Sequence, residues 1–200
     1  MNILLENENK YISQNRIKLV CGVDEAGRGP LAGPVAACAC IPGGLLIEEI
    51  NDSKKISEKK REILYNQLIE GVVCYKTIFV SPAEIDSTNI LLATKRAMQE
   101  AVSHLFPIPD RVLIDAVQLD LSLPSESVIK GDATFYSIAC ASIIAKVERD
   151  KLMYKYAELY PEYGFDSHKG YGTKHHIEMI KKYGPCEIHR KSFITGLLHR

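Results

Sequence analysis

Val23-Asp-Glu-Ala-Gly-Arg-Gly-Pro30 is the stretch on which the reading of this chain turns. An apolar run (Ile17, Leu19, Val20, Cys21, Val23) ends in two adjacent carboxylates, Asp24 and Glu25, and leads straight into a Gly27-Arg28-Gly29 turn. Carboxylates are hard oxygen ligands suited to Mg²⁺ or Mn²⁺. Glycines leave bare backbone that a sugar-phosphate chain can approach closely. Together they point to a metal-dependent site facing a nucleic acid. A surface turn carrying two acids is the plainer alternative for this stretch taken alone.

The plainer alternative weakens because the pattern recurs. Arg111-Val-Leu-Ile-Asp115 is another apolar strand delivering a carboxylate at its C-terminal end. If the two strands are neighbours, Asp24 and Asp115 share one sheet edge, where ligands bind in open α/β sheets. Lys130-Gly-Asp132 places a third aspartate where a strand gives way to a long helix, so Asp132 reads equally as a helix cap. Glu25 poses a local problem, because successive strand side chains point to opposite faces. It joins Asp24 only if the strand has ended or twisted by then.

Strands are expected at Ile17–Val23, Val35–Ile41, Val72–Val80, Arg111–Ala116 and Ser127–Lys130, all rich in Val, Ile and Cys. Helices are expected at Ser57–Glu70, with Ser57 as N-cap and Gly71 as stop, and at Asn89–Leu105. A long third helix covers roughly Ala133–Tyr160, its small residues Ala139, Cys140, Ala141, Ser142 and Ala145 permitting close packing. Thr173 caps a fourth that ends at Gly184-Pro185. The predicted architecture is α/β: a central mixed five-stranded sheet flanked by helices, with a helical C-terminal extension. Two hundred residues, 46% hydrophobic, suit a single domain over 1–200. Residues 1–15 are expected as a polar tail, and about 161–200 as a helical part contributing to substrate binding.

No run approaches the length of a membrane span and no signal peptide is evident, so a soluble, cytoplasmic protein is expected. Six cysteines lack any Cys-x-x-Cys spacing, and four sit in apolar runs, as buried reduced thiols do. Net charge is zero, but its distribution is uneven. Lys54, Lys55, Lys59, Lys60 and Arg61 face Glu58 alone, and the segment from Phe165 onward holds seven Lys or Arg against three acids. Each cluster alone reads as a solvated face; both beside an acidic site suggest a basic groove. Five of the six histidines lie after Phe165 without a His-Glu-x-x-His pattern, and His175-His176 reads as a helix surface. Nucleophile-elbow and P-loop motifs are absent, and Gly27–Gly33 misses the dinucleotide spacing. Three or four clustered carboxylates instead suit two divalent ions about 4 Å apart, which activate water and stabilise the leaving oxygen of an in-line phosphoryl displacement.

Seven segments in order, Val23-Asp-Glu-Ala-Gly-Arg-Gly-Pro-Leu-Ala-Gly-Pro-Val35, Asn51-Asp-Ser-Lys-Lys55, Leu113-Ile-Asp115, Lys130-Gly-Asp132, Ala141-Ser-Ile-Ile-Ala-Lys-Val-Glu-Arg-Asp150, His168-Lys-Gly-Tyr-Gly-Thr173 and His189-Arg-Lys-Ser-Phe193, closely resemble ribonuclease HII. The resemblance spans about residues 17–193, and Gly27-Arg28-Gly29 favours this family over ribonuclease HIII. It implies an RNase H-like fold and endonucleolytic cleavage of the RNA strand of RNA-DNA hybrids, including 5′ of single ribonucleotides in duplex DNA, as in ribonucleotide excision. On that pattern Asp24, Glu25, Asp115 and Asp132 are catalytic and hold Mg²⁺ or Mn²⁺, two ions in the active complex. Gly27, Arg28 and Gly29 would read the 2′-hydroxyl at the RNA-DNA junction, and Tyr171 would pack on the adjacent deoxyribose. For Tyr171, simple packing between two glycines is the alternative. Ser53, Lys54, Lys55, Lys146 and Lys169 are phosphate-contact candidates. Asp150 is either in a helix-surface ion pair with Arg149 or an acid near the metals.

A monomer acting on RNA-DNA hybrid and ribonucleotide-containing duplex is expected, with no membrane association. The sequence identifies no protein partner, and Ile194–Arg200 shows no docking motif. A non-catalytic binding module of the same fold would have no use for clustered unpaired carboxylates, which are costly without a cation. A different nuclease or strand-transfer enzyme would share the metals but lack Gly27-Arg28-Gly29 and the junction tyrosine.

Overall fold

The computed structural model describes residues 2–44 and 46–198. Its centre is β1 (Val20–Ala26), which pairs antiparallel with β2 (Val35–Ile41) on one side and parallel with β4 (Arg111–Asp115) on the other. β3 (Cys74–Val80) and β5 (Ser125–Val128) complete a mixed sheet of order β3-β2-β1-β4-β5. β2, built of Val, Ala, Cys and Ile, is buried at every position because helices cover both faces. α4 (Ile90–Ser103) lays Ala93, Ala97, Met98 and Ala101 against Val23, Ala37, Ala39 and Ile114. On the other face, α5 (Tyr136–Leu159) and α2 (Glu58–Gly71) pack Ala139, Ala141, Ile143, Leu64 and Leu68 against Cys38 and Cys40. Each fully buried Leu or Ile contributes about 1.5–3 kcal/mol relative to exposure.

The approach of α5 to β1 needs Gly22, where a Cβ would stand 2.1 Å from the Ser137 carbonyl carbon. The small residues foreseen in α5 do pack closely, all five being buried. Ser57 caps α2 through the Lys60 amide, Asn89 caps α4 through Leu92, and Thr173 caps α7 (Lys174–Tyr183) through His176.

The structure differs from the sequence reading in four places. Residues 1–15 are not a tail: α1 (Ile3–Asn15) buries Leu4 and Glu8, and the Glu8 carboxylate accepts hydrogen bonds at 2.7 Å from both the amide and hydroxyl of Ser137. Burial raises the Glu8 pKa, and those bonds offset only part of the rise. β1 begins and ends three residues later than expected and runs through Glu25, so the strand has not ended there. The third helix starts at Tyr136 after a 3₁₀ turn at Gly131–Ala133, and its N-cap is Phe135; Asp132 is therefore not its cap. Short helices α3 (Pro82–Ser87), α6 (Phe165–His168) and α8 (Lys191–Leu198) complete the described chain, and positions 199 and 200 of the closing segment lie outside it.

Six free cysteines stand as expected, four of them buried. Among the described residues no helix is long and apolar enough to cross a membrane.

Candidate active site

β1 and β4 run parallel, their last paired residues being Val23 and Ile114, so Asp24 and Asp115 follow side by side at the C-terminal edge. This is the sheet edge anticipated from the two apolar approaches. Asp24, Glu25 and Asp115 line one pocket of about 240 Å³ together with Gly27, Arg28, Gly29, Ser53, Lys54, Lys146 and Tyr171. Asp132 flanks it from the 3₁₀ turn, held to the pocket by the Lys54 ammonium at 3.2 Å. The turn is in turn tied to β4, the Gly131 amide donating to Asp115 Oδ1 at 2.6 Å.

The pocket concentrates like charge away from water. Asp24 is 4% exposed, and burial first, then the charges of Glu25 and Asp115, raise its pKa well above the carboxylate range. The Glu25 amide, donating to Asp24 Oδ1 at 2.7 Å, offsets only part of this. Burial also raises Glu25, against the nearby Arg28 guanidinium, whose Nη1 lies 3.4 Å from Oε1. The other Glu25 oxygen, Oε2, is buried with no hydrogen-bond partner. Asp115 is raised by burial despite its bond from Gly131, and Asp132 adds repulsion. Lys54 answers this field: although burial opposes its charge, Asp132 raises its pKa.

A divalent cation suits this donor set, which is all carboxylate, mutually repelling, and contains an orphaned buried oxygen. Among the described residues no three His, Cys, Asp or Glu side chains are gathered closely enough to hold a metal ion as they stand. Lys54 occupies Asp132, and Arg28 engages Glu25.

The remaining candidates divide. Ser53 stands at the pocket, its hydroxyl 2.9 Å from that of Ser142, and Arg61 fixes this segment through the Ser53 and Ile56 carbonyls. Tyr171 is 45% exposed at the rim, its ring edge against Gly29, where a Cβ would meet it at 3.6 Å. Lys146 reaches the pocket but is paired with Asp150 at 2.6 Å, and burial lowers its pKa. Lys169 is not brought there. Its ammonium pairs with Glu58 at 3.4 Å, bonds the Asp166 carbonyl and lies over the Tyr154 ring. Lys55 ends the 3₁₀ turn at Ser53–Lys55 beside the pocket rather than in its lining.

Asp150 does not pair with Arg149; it is buried between Lys146 and Arg61. Arg149 turns inward to backbone carbonyls, as does Arg190. His176, expected on a surface, is fully buried and bonds the Tyr171 carbonyl and His189. Sequence reasoning missed the structural roles of Arg61, Ser142, Arg149, Arg190 and His176. No local signal marked them, since Arg61 and Arg149 lie in charged stretches and Arg190 precedes a helix.

A mixed sheet of this order, carboxylates at the adjoining ends of two parallel strands and a helix layer on each face, defines a hydrolase of the ribonuclease H-like class. A family model described as ribonuclease HII matches residues 21–196. The chain is 51% identical over 199 residues to the ribonuclease HII of Caldicellulosiruptor saccharolyticus, covering 96% of this chain and 97% of the relative. It is 53% identical over 197 residues to that of Ruminiclostridium cellulolyticum, covering 98% and 77%. The crystal structure of ribonuclease H2 from Pyrococcus horikoshii OT3 superposes with a TM-score of 0.78 at 28% identity, covering 92% of this chain and 98% of that one.

The chain belongs to the ribonuclease HII family. It is an endoribonuclease of the ribonuclease H type, a class of enzyme that works with divalent metals.

Proposed function

We propose that this enzyme hydrolyses the RNA strand of RNA-DNA hybrids and nicks duplex DNA on the 5′ side of an embedded ribonucleotide, using Mg²⁺ or Mn²⁺ held by Asp24, Glu25, Asp115 and Asp132. The observation that carries the reading is the meeting of Asp24, Glu25 and Asp115 in one pocket, with the buried Glu25 Oε2 left without a hydrogen-bond partner. Unpaired charges in such a place are unfavourable unless a cation neutralises them.

Two bound divalent ions would supply activation of the attacking water and neutralisation of the leaving oxygen. The chain's own residues have separate tasks. Asp24 and Asp115, adjoining on parallel strands, anchor the centre, and Glu25 and Asp132 close its two sides. Lys54, 79% exposed at its side chain, releases Asp132 and turns to a phosphate of the substrate. Ser53, on a backbone pinned by Arg61, contacts the same strand. Arg28 releases Glu25 in the same way, and Gly27 to Gly29 offer bare backbone to the ribose 2′-hydroxyl. Tyr171 stacks on the neighbouring deoxyribose from the rim. Lys146 keeps the Asp150 carboxylate neutralised at the pocket wall.

The test is a nicking assay on a DNA duplex containing one ribonucleotide. Cleavage 5′ of the ribonucleotide is expected with Mg²⁺ or Mn²⁺. Equal cutting of all-DNA duplex, or full activity in chelator, would sink the reading.

A further inference from the structure

Behind the Gly27–Gly29 turn lie two guanidinium groups that have no acid to pair with. Arg149, on α5, is 1% exposed, and Arg190, just before α8, is 0% exposed. Among the described residues neither forms an ion pair. Each instead donates three hydrogen bonds to backbone carbonyls. Arg190 reaches Gly27 at 2.6 Å, Arg28 at 2.9 Å and Gly33 at 2.9 Å. Arg149 reaches Ala32 at 3.2 Å, Pro34 at 2.9 Å and Lys169 at 3.1 Å. Five of the six carbonyls belong to residues 27–34, and the sixth immediately precedes Gly170-Tyr171.

Backbone bonds join the same pieces. The Leu31 amide donates to Gly170, the Gly33 amide to Ile188, and the Arg190 amide to Leu31, each at 2.8 Å. Clearance is minimal: Gly27 has φ +94°, and a Cβ there would stand 2.0 Å from Arg149 Nε, while one on Gly170 would stand 2.4 Å from the Ala32 carbonyl oxygen. Burying two adjacent cations is unfavourable: burial first, then the Arg149 charge, pushes the Arg190 pKa down to about 9. Apolar side chains could fill this volume but could not take six carbonyls into one fixed arrangement. Only a planar fork of donors can do that.

We propose that Arg149 and Arg190 are positioning residues of the ribose check. They act through the backbone of residues 27–34, holding the Gly27–Gly29 turn and Tyr171 at a set separation. Recognition of an isolated ribonucleotide therefore depends on them more than hydrolysis does. The proposal rests on the reading of that turn and Tyr171 as ribose-contacting elements.

The experiment compares wild type, Arg190→Lys, Arg149→Lys, Tyr171→Ala and the Tyr171→Ala/Arg190→Lys double variant, full length, after melting curves establish the folded fraction. Each is assayed on a duplex with one ribonucleotide and on a hybrid with a continuous RNA strand. The lysine variants keep the charge and lose the fork. Their kcat/KM on the single ribonucleotide should fall about tenfold or more through KM, with a clearly smaller loss on the hybrid, as displacement of a contact by an ångström would produce. Partial unfolding would scale both substrates equally and leave the ratio unmoved. Arg190→Lys should add little in the Tyr171→Ala background. An equal loss on both substrates, full additivity when Tyr171→Ala itself shifts the ratio, or unfolding of both lysine variants would overturn the proposal and make the arginines scaffold alone. If Tyr171→Ala shifts the ratio and the lysine variants do not, the clamp fails while the reading of the tyrosine stands. If Tyr171→Ala leaves the ratio unchanged but the lysine variants shift it, Tyr171 was misread and the clamp acts through the turn.

Discussion

The floor of the pocket and its rim are built on opposite principles, although Glu25 and Gly27 are two residues apart. The floor gathers carboxylates that repel one another, leaves Glu25 Oε2 without a partner and sets Lys54 against Asp132 and Arg28 against Glu25. The rim has its carbonyls satisfied by two buried guanidiniums and is stitched by backbone bonds to the Tyr171 loop. An electrostatically incomplete floor gains on binding cations. A rim already held in place loses little entropy when it meets a sugar. On the proposed function, chemistry at the floor would be supplied from outside, and selectivity at the rim would come from inside the fold.

The sharpest way to break the contrast is Asp24→Asn. It keeps the acceptor for the Glu25 amide but removes a charge from the floor, and cleavage should drop by about a thousandfold or more, since metal anchoring accounts for several kcal/mol of barrier at roughly 1.4 kcal/mol per decade. Substrate binding, followed by anisotropy, should persist. A variant that still cuts at near wild-type rate would remove Asp24 from the floor. Gly27→Ala strikes the rim instead. Left-handed strain and the clash with Arg149 should cost about 2–3 kcal/mol of stability, visible as a melting temperature lower by several degrees. Unchanged melting would show that the rim is not held as tightly as described. Tyr171→Ala touches only the exposed edge: a loss of about tenfold on the single-ribonucleotide duplex is expected, with little change in melting. An unchanged rate would remove Tyr171 from the rim.

The rim also has a pH limit. His176, which bonds the Tyr171 carbonyl, has its pKa pushed down to about 4 by burial, with His168 and His189 adding to the shift. Those two are lowered as well. The folded state therefore prefers neutral imidazoles. Near pH 6.5 and below, the unfolded chain takes up protons that the fold refuses, so stability present at pH 7.5 is lost as pH falls toward 4. The histidine contribution, read as the difference between wild type and His176→Gln, should lower melting by about 3 °C or more between pH 7.5 and pH 5, against the opposite contribution of the raised carboxylates. His176→Gln should flatten that slope, and an unaltered slope would show that the cluster does not govern it.

What could be read from the sequence follows the same division. Asp24 and Asp115 were legible because each ends an apolar run in a carboxylate, and the parallel pairing of β1 and β4 put them together as expected. The five strands and the capped helices were legible from local patterns, with shifts of a few residues at their ends. The clamps were not. Whether Arg149 or Arg190 is buried depends on carbonyls 115 and 163 residues away, and no local pattern records that. α1 was hidden for a similar reason: its inner face includes Glu8, whose burial makes sense only beside Ser137. Lys169 was misplaced because its partner, Glu58, comes from another helix, and of the two readings of Asp150 only the Arg149 pair fell, Lys146 and Arg61 taking that place.

The central claim is that the floor is built of carboxylates suited to a cation, while the rim is already held in place by the fold. The most direct test is the melting temperature of wild type and Asp24→Asn, each with chelator and with Mn²⁺. Without metal, Asp24→Asn should melt above wild type, because it relieves buried repulsion. Saturating Mn²⁺ should raise wild type by about 5 °C or more, as a ligand at a hundred times its Kd adds roughly 2.7 kcal/mol, and should barely move the variant. Wild type melting above Asp24→Asn in chelator, with no response to Mn²⁺, would contradict the account.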